Sequence, residues 1–204
     1  MSLTIAELEH GITYWLTETS WDRDFHLAFY QMMAEVNPNG AFDDVWWATF
    51  LPILRAWRAT RPRGSAFLSV RTQERVGALT QAWARAVEPN VAKDIETVEW
   101  SSVSAFPEVV TEIKDVRSPV FTSKFCHFLV PRIFPLVDGA AMGNPYPTYE
   151  ACFLAYQGEW ATTPEPVRET LVARLARRIG SPAFGVFPFK NKVVELCMIG
   201  RRYG

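Results

Sequence analysis

Ser118-Pro-Val-Phe-Thr-Ser-Lys-Phe-Cys-His-Phe-Leu-Val-Pro131 carries its own start and stop signals and reads as a helix. Ser118 supplies an N-cap oxygen, Pro119 suits the first helical position, and Pro131 ends the run. Inside it, Lys124 stands among Phe121, Phe125, Phe128 and Leu129. The chain continues as Arg132-Ile-Phe-Pro-Leu-Val-Asp138. Asp138 comes directly before Gly139-Ala-Ala-Met142, where it fits an N-cap.

Working outward, the same signals recur. Thr4-Ile-Ala-Glu7 is a capping box, and Ile5, Leu8, Ile12, Trp15 and Leu16 follow at helical spacing. Ser20 opens a second helix with Phe25, Leu27, Ala28, Met32 and Val36 on its apolar face, stopped by Asn37-Pro-Asn-Gly40. A third helix, about 43–59, is crowded with Trp46, Trp47, Phe50, Leu54 and Trp57, and Pro52 is expected to kink or split it. Arg61-Pro-Arg-Gly-Ser65 reads as a loop, followed by a helix over about 72–87 that Glu88-Pro-Asn90 ends.

The pattern weakens over 91–103, and 104–116 again looks helical with Pro107 in its first turn. Further helices are expected over 148–160, 163–179 and 190–199, with Thr163 as the cap and Gly180 as the stop of the middle one. No alternating run supports a strand, and 184–189 comes nearest. The reading is an all-α chain: a single compact multi-helix domain over 1–204, of about eight to ten helices, with any subdomain joint near 90–104.

With 204 residues, 49% apolar and 21% charged, the chain is too apolar for a disordered one and long enough to build a core without a disulfide or metal. Cys126, Cys152 and Cys197 stand singly in apolar runs and read as reduced core thiols. With no CxxC, and with His10, His26 and His127 at no ligand spacing, no metal site is expected. No cofactor is expected either, since neither a GxGxxG nor a P-loop occurs. There is no leader and no run of 18 apolar residues, so the protein reads as cytoplasmic, with no membrane partner.

A net charge of −1 excludes a generic polyanion-binding coat, so any contact with nucleic acid must be local. Residues 163–204 carry eight Lys+Arg against three acids. Residues 55–75 are basic as well, with Arg55, Arg58, Arg61, Arg63, Arg71 and Arg75. If the two segments meet, they make a cationic face suited to phosphate.

An amine and a carboxylate in strongly apolar sequence are unusual companions. Burial lowers a lysine pKa and raises an aspartate pKa, and pairing opposes both shifts. Such a pair can supply a nucleophilic amine and an electrostatic or basic carboxylate. The plainer alternative is that Lys124 reaches water and Asp138 merely caps the next helix.

Ser123-Lys124-Phe-Cys-His127-Phe128, then Pro131, Phe134-Pro135 and Asp138, on an all-helical chain, resembles the core of the helix-hairpin-helix DNA glycosylase superfamily. Within it, the segment is most similar to bacterial proteins of 8-oxoguanine-DNA-glycosylase-like fold. The resemblance implies that Lys124 attacks the sugar C1′ of a flipped nucleotide. It implies that Asp138 assists and stabilises the oxocarbenium-like charge, and that DNA is the partner. It covers residues 118–138 of 204.

His127 falls on the Lys124 face and is a candidate acid–base partner. Tyr146, Tyr149 and Trp46 are candidate pocket residues, since a flipped base needs an aromatic or apolar receptor. Arg61, Arg63, Arg117, Arg174, Arg177 and Arg178 are candidate DNA contacts. The hairpin of the resemblance is glycine-rich, whereas Arg117-Ser-Pro-Val-Phe-Thr122 has no glycine, and Pro119 removes an amide donor. That departure keeps open a non-catalytic helical module, binding nucleic acid or protein on the same scaffold.

Overall fold

The helix at 118–130 forms as its ends predict. The Ser118 hydroxyl accepts the Phe121 amide at 3.2 Å, Pro119 occupies the first turn, and the helix ends at Leu129, two residues before Pro131. In this computed structural model the described residues are 1–18, 27–36, 39–60, 65–114, 117–143, 146–180 and 185–204, and among them no strand occurs. The helices are α1 (Ile5–Glu18), α2 (Leu27–Val36), α3 (Asp44–Ala56), α4 (Ser65–Ala82), α5 (Trp100–Val103), α6 (Ala105–Thr111), α7 (Pro119–Leu129), α8 (Gly139–Met142), α9 (Tyr149–Thr162), α10 (Glu165–Ile179) and α11 (Phe189–Tyr203). Two of these, α5 and α8, are single turns.

Local capping accounts for several boundaries. Thr4 and Glu7 exchange the two hydrogen bonds of a capping box, at 2.9 and 3.2 Å. Thr148 accepts the Ala151 amide at 3.1 Å to open α9. Gly180 ends α10 at φ +71°, a left-handed conformation that favours glycine.

The core is assembled around α7, in which every residue from Phe121 to Leu129 is buried. Phe125 meets Trp46, Trp47 and Phe50 of α3 and Phe106 of α6. Phe128 packs against Phe29 of α2 and Trp57. One contiguous cluster of buried side chains runs from Leu3 to Ile199, and residues 90–104 contribute Ile95, Val98 and Val103 to it. Cys126, Cys152 and Cys197 are free thiols within it.

The first and last helices are joined along a seam with no side chain at its crossing. A Cβ on Gly11 would lie 1.9 Å from the Leu196 carbonyl oxygen, and one on Gly200 would lie 1.8 Å from that of Glu7. The two backbones therefore touch.

Several boundaries differ from expectation. α3 runs through Pro52 without a break, because Pro52 and Ala48, whose carbonyl it leaves without a helical donor, both face solvent. α4 begins at Ser65 rather than near 72, and it passes into a wider turn at Trp83–Val87 and a tight one at Glu88–Asn90. The helix expected over 104–116 is the shorter α6, Ala105–Thr111, preceded by the single turn α5, and residues 115–116 lie outside the described ones. Thr163 does not cap α10: its hydroxyl accepts the Leu3 amide at 2.9 Å and donates to the Glu159 carbonyl at 2.7 Å. The Ser20 cap lies outside the described residues, and 185–189 forms a turn leading into α11.

Candidate functional site

Residues 134–138 link α7 to α8, and buried side chains hold them almost atom by atom. The Phe134 carbonyl is 2.7 Å from His127 Nδ1, the Pro135 carbonyl accepts from Tyr149 Oη at 2.9 Å, and the Leu136 carbonyl accepts from Tyr156 Oη at 2.8 Å. The Val137 amide donates to Ser123 Oγ at 3.0 Å, and Asp138 Oδ1 accepts the Ala141 amide at 3.1 Å, starting α8. A carbonyl only accepts, so His127 Nδ1 carries the proton. Its Nε2 is then an acceptor for Tyr30 Oη, 3.1 Å away. Burial holds His127 neutral, with its pKa lowered to about 4, against the opposing pull of the Phe134 hydrogen bond.

This loop sets Asp138 beside α7. Ser123 anchors Val137, so the carboxylate emerges next to the turn that carries Lys124. The Lys124 side chain is 9% exposed, and its Nζ donates to the Trp57 carbonyl at 2.7 Å. Trp57 closes the C-terminal end of α3, and the negative end of that helix dipole favours a cation there. The chain leaves α3 through Arg58 at φ +55°. Burial lowers the Lys124 pKa, the charges of Asp138 and Glu195 oppose that shift, and Arg58 adds to it.

Asp138 is only partly buried. On its outer side its charge acts on Tyr14, whose ring stacks on Tyr203 at 4.1 Å. The Tyr14 hydroxyl is raised to about 12, first by its Tyr203 hydrogen bond and then by burial, with Asp138 adding and Arg202 opposing. The Arg202 guanidinium lies over the Tyr203 ring at 5.1 Å and reaches the Ala141 carbonyl at 3.4 Å. Arg58 thus acts on the amine, while Arg202 lies on the outer side with Tyr14 and Tyr203.

The inner side is a feature that the sequence reading missed. Lys192 Nζ and Glu195 Oε2 are 2.8 Å apart on α11, with both side chains 1% exposed. Among the described residues, Glu195 Oε1 has no hydrogen-bond partner. The Glu195 carboxyl is pushed up by burial, which Lys192 opposes; Asp138 pushes it further and Lys124 opposes. Lys192-x-x-Glu195 is the spacing of an ordinary solvated pair, and its one sequence signal is the apolar flank Val193-Val194 and Leu196-Cys197.

The other candidate residues occupy varied places. His127 and Tyr149 hold the 134–138 loop. Trp46 lies in the α3 aromatic cluster and donates to the Val36 carbonyl at 3.0 Å. Tyr146 donates to Met198 Sδ at 3.2 Å. Arg174 pairs with Glu9 at 3.0 Å, while Arg117, Arg177 and Arg178 are exposed. Arg61 and Arg63 lie outside the described residues. α10 packs on α1 and α11, and α4 on α3 and α6.

Among the described residues no three His, Cys, Asp or Glu side chains gather to hold a metal ion, and no helix is long and apolar enough to cross a membrane. Comparison with family models, with curated proteins and with solved structures finds no match.

Proposed function

We propose that this chain is a DNA-glycosylase-like protein, cleaving an N-glycosidic bond with Lys124 as the nucleophile and Asp138 as the assisting carboxylate. The observation that supports this reading most is the convergence of the two charges. A nearly buried amine with a lowered pKa lies in the field of a carboxylate that a dedicated clamp holds in place and that remains partly open to solvent. Lowering an amine pKa by burial is a standard route to a nucleophile at neutral pH.

In the step this implies, the Lys124 amine forms a bond to the sugar C1′ as the glycosidic bond breaks. The bonding electrons leave with the base, which gains the proton lost from the amine. Asp138 offsets the positive charge that develops on the sugar. Ring opening then gives an iminium that borohydride reduces to a stable secondary amine. The test is borohydride trapping with lesion-containing duplex DNA at low salt. A covalent adduct is expected for the wild type and none for Lys124→Ala or Asp138→Asn; a wild type that forms no adduct and binds no DNA removes the reading.

One observation favours the second reading, a non-catalytic helical binding module. Lys124 spends a donor on the Trp57 carbonyl, and Asp138 spends an oxygen on the α8 cap. That module predicts salt-dependent binding that survives Lys124→Ala and weakens when Arg174, Arg177 and Arg178 are changed together.

A further inference from the structure

We propose that Arg58 is a phosphate-binding residue, holding the anionic group of a ligand beside the Lys124 amine. The assignment of that group as a DNA backbone phosphate rests on the glycosylase reading.

Arg58 takes the chain out of α3 at φ +55°. The Arg58 amide donates to the Arg55 carbonyl at 2.9 Å, and the Ala59 amide donates to the Leu54 carbonyl at 2.9 Å. That pair of bonds closes a helix around one left-handed residue, a position that favours glycine. α10 makes the same step with Gly180, at φ +71°. Asn39 is the other left-handed residue that is not glycine among the described ones, and asparagine tolerates that conformation. An arginine there is strained, and strain of this kind gathers at binding and catalytic sites. The Arg58 side chain does not form the turn, because both capping bonds use backbone groups that a glycine also has.

The strained residue is joined directly to the Lys124 amine. Lys124 Nζ donates at 2.7 Å to the Trp57 carbonyl, and that oxygen belongs to the peptide linking Trp57 to Arg58. Trp57 and Ala59 are buried, so Arg58 leaves an anchored backbone while remaining exposed itself. Its charge is among those that act on the Lys124 amine. A guanidinium offers parallel N–H donors to two phosphate oxygens and keeps its charge at any working pH. In a nucleotide the sugar C1′ and the flanking phosphate are parts of one unit. One binding event therefore brings the carbon to the amine and the anion to the arginine.

Pyridoxal 5′-phosphate tests this without DNA, because it joins a phosphate to an aldehyde that amines attack. The amine adds to the aldehyde carbon, water leaves, and borohydride reduces the imine to a secondary amine. Labelling of the full chain is read at Lys124 by peptide mass spectrometry, relative to exposed Lys93, with pyridoxal as the probe lacking phosphate. In the wild type the phosphate is expected to favour Lys124 labelling by about tenfold, and excess inorganic phosphate to abolish that preference. Arg58→Gly is expected to lose the preference while raising the urea midpoint, since glycine relieves the left-handed strain. A preference that survives in Arg58→Gly, a midpoint that does not rise, or a Lys124 that neither probe labels overturns the inference.

Competition separates the sources of phosphate. Protection of Lys124 from the probe by a lesion-containing duplex supports a backbone phosphate. Protection by inorganic phosphate alone keeps the phosphate site and removes DNA as its ligand. If borohydride trapping on DNA fails while the Arg58-dependent preference holds, the glycosylase reading falls and the phosphate site stands. If the preference fails, any DNA adduct stands without it.

Discussion

The Ser123 hydroxyl accepts the Val137 amide at 3.0 Å while donating to the Val120 carbonyl at 3.0 Å, and this one side chain joins α7 to the loop that delivers Asp138. Ser123→Ala leaves the Val137 N–H buried without an acceptor. The expected cost is about 1–3 kcal/mol of unfolding free energy, measured by urea denaturation. Under the glycosylase reading the borohydride adduct falls as well, because Asp138 loses its anchor. A Ser123→Ala protein as stable as wild type would show that the loop is held by its other contacts alone.

His127 gives the protein an acid limit. Its folded pKa of about 4 lies below the ordinary 6.5, so between those values the unfolded chain binds more protons than the folded one. Stability is therefore expected to fall as pH drops from 6.5 towards 4, by about 3 kcal/mol from this group. His127→Asn keeps an N–H donor and has no such titration, so the denaturation midpoint of that variant should depend less on pH across the window. An unchanged slope would assign the acid sensitivity to other groups.

The buried ion pair is expected to be costly to break and cheap to replace. Lys192→Met or Glu195→Leu alone leaves one uncompensated interior charge and should cost about 3–5 kcal/mol. The combined variant should recover most of that loss in a double-mutant cycle. Additive losses would mean that the two side chains stabilise the fold independently.

The glycine seam separates two kinds of alanine substitution. Gly11→Ala and Gly200→Ala each drive a methyl group into a carbonyl oxygen of the partner helix and are expected to cost more than about 3 kcal/mol or to prevent folding. Gly77 in α4 and Gly158 in α9 meet nothing within 4 Å, so alanine there should stabilise by about 0.5–1 kcal/mol. Thermal melts of the four variants test the contrast directly.

What the sequence made legible follows from range. The Thr4–Glu7 box, the Ser118 and Thr148 caps and the Gly180 stop each satisfy a group within four residues, so their chemistry is written locally. Thr163 looks like one more cap, yet it serves the Leu3 amide 160 residues away, and no local pattern announces that. Pro52 looks like a break, and only the solvent exposure of its turn keeps α3 whole.

The candidate site divides the same way. Lys124 and Asp138 stand out because each is charged within apolar sequence. His127 and Tyr149 suggest pocket chemistry by proximity, but what they touch is the backbone of the 134–138 loop. Lys192 and Glu195 escape notice because their spacing is that of a surface pair, and burial by other helices is a property of the whole fold.

The backbone contact of α1 with α11 also sets an order of assembly. A nascent chain threaded out of a ribosome presents Leu8, Ile12 and Trp15 early, but the helix that covers them is synthesised more than 170 residues later. Because that late helix also brings Lys192 and Glu195, a half-made polypeptide carries the Lys124 segment without its inner charges. The apolar face of α1 therefore stays uncovered until translation has passed Gly200.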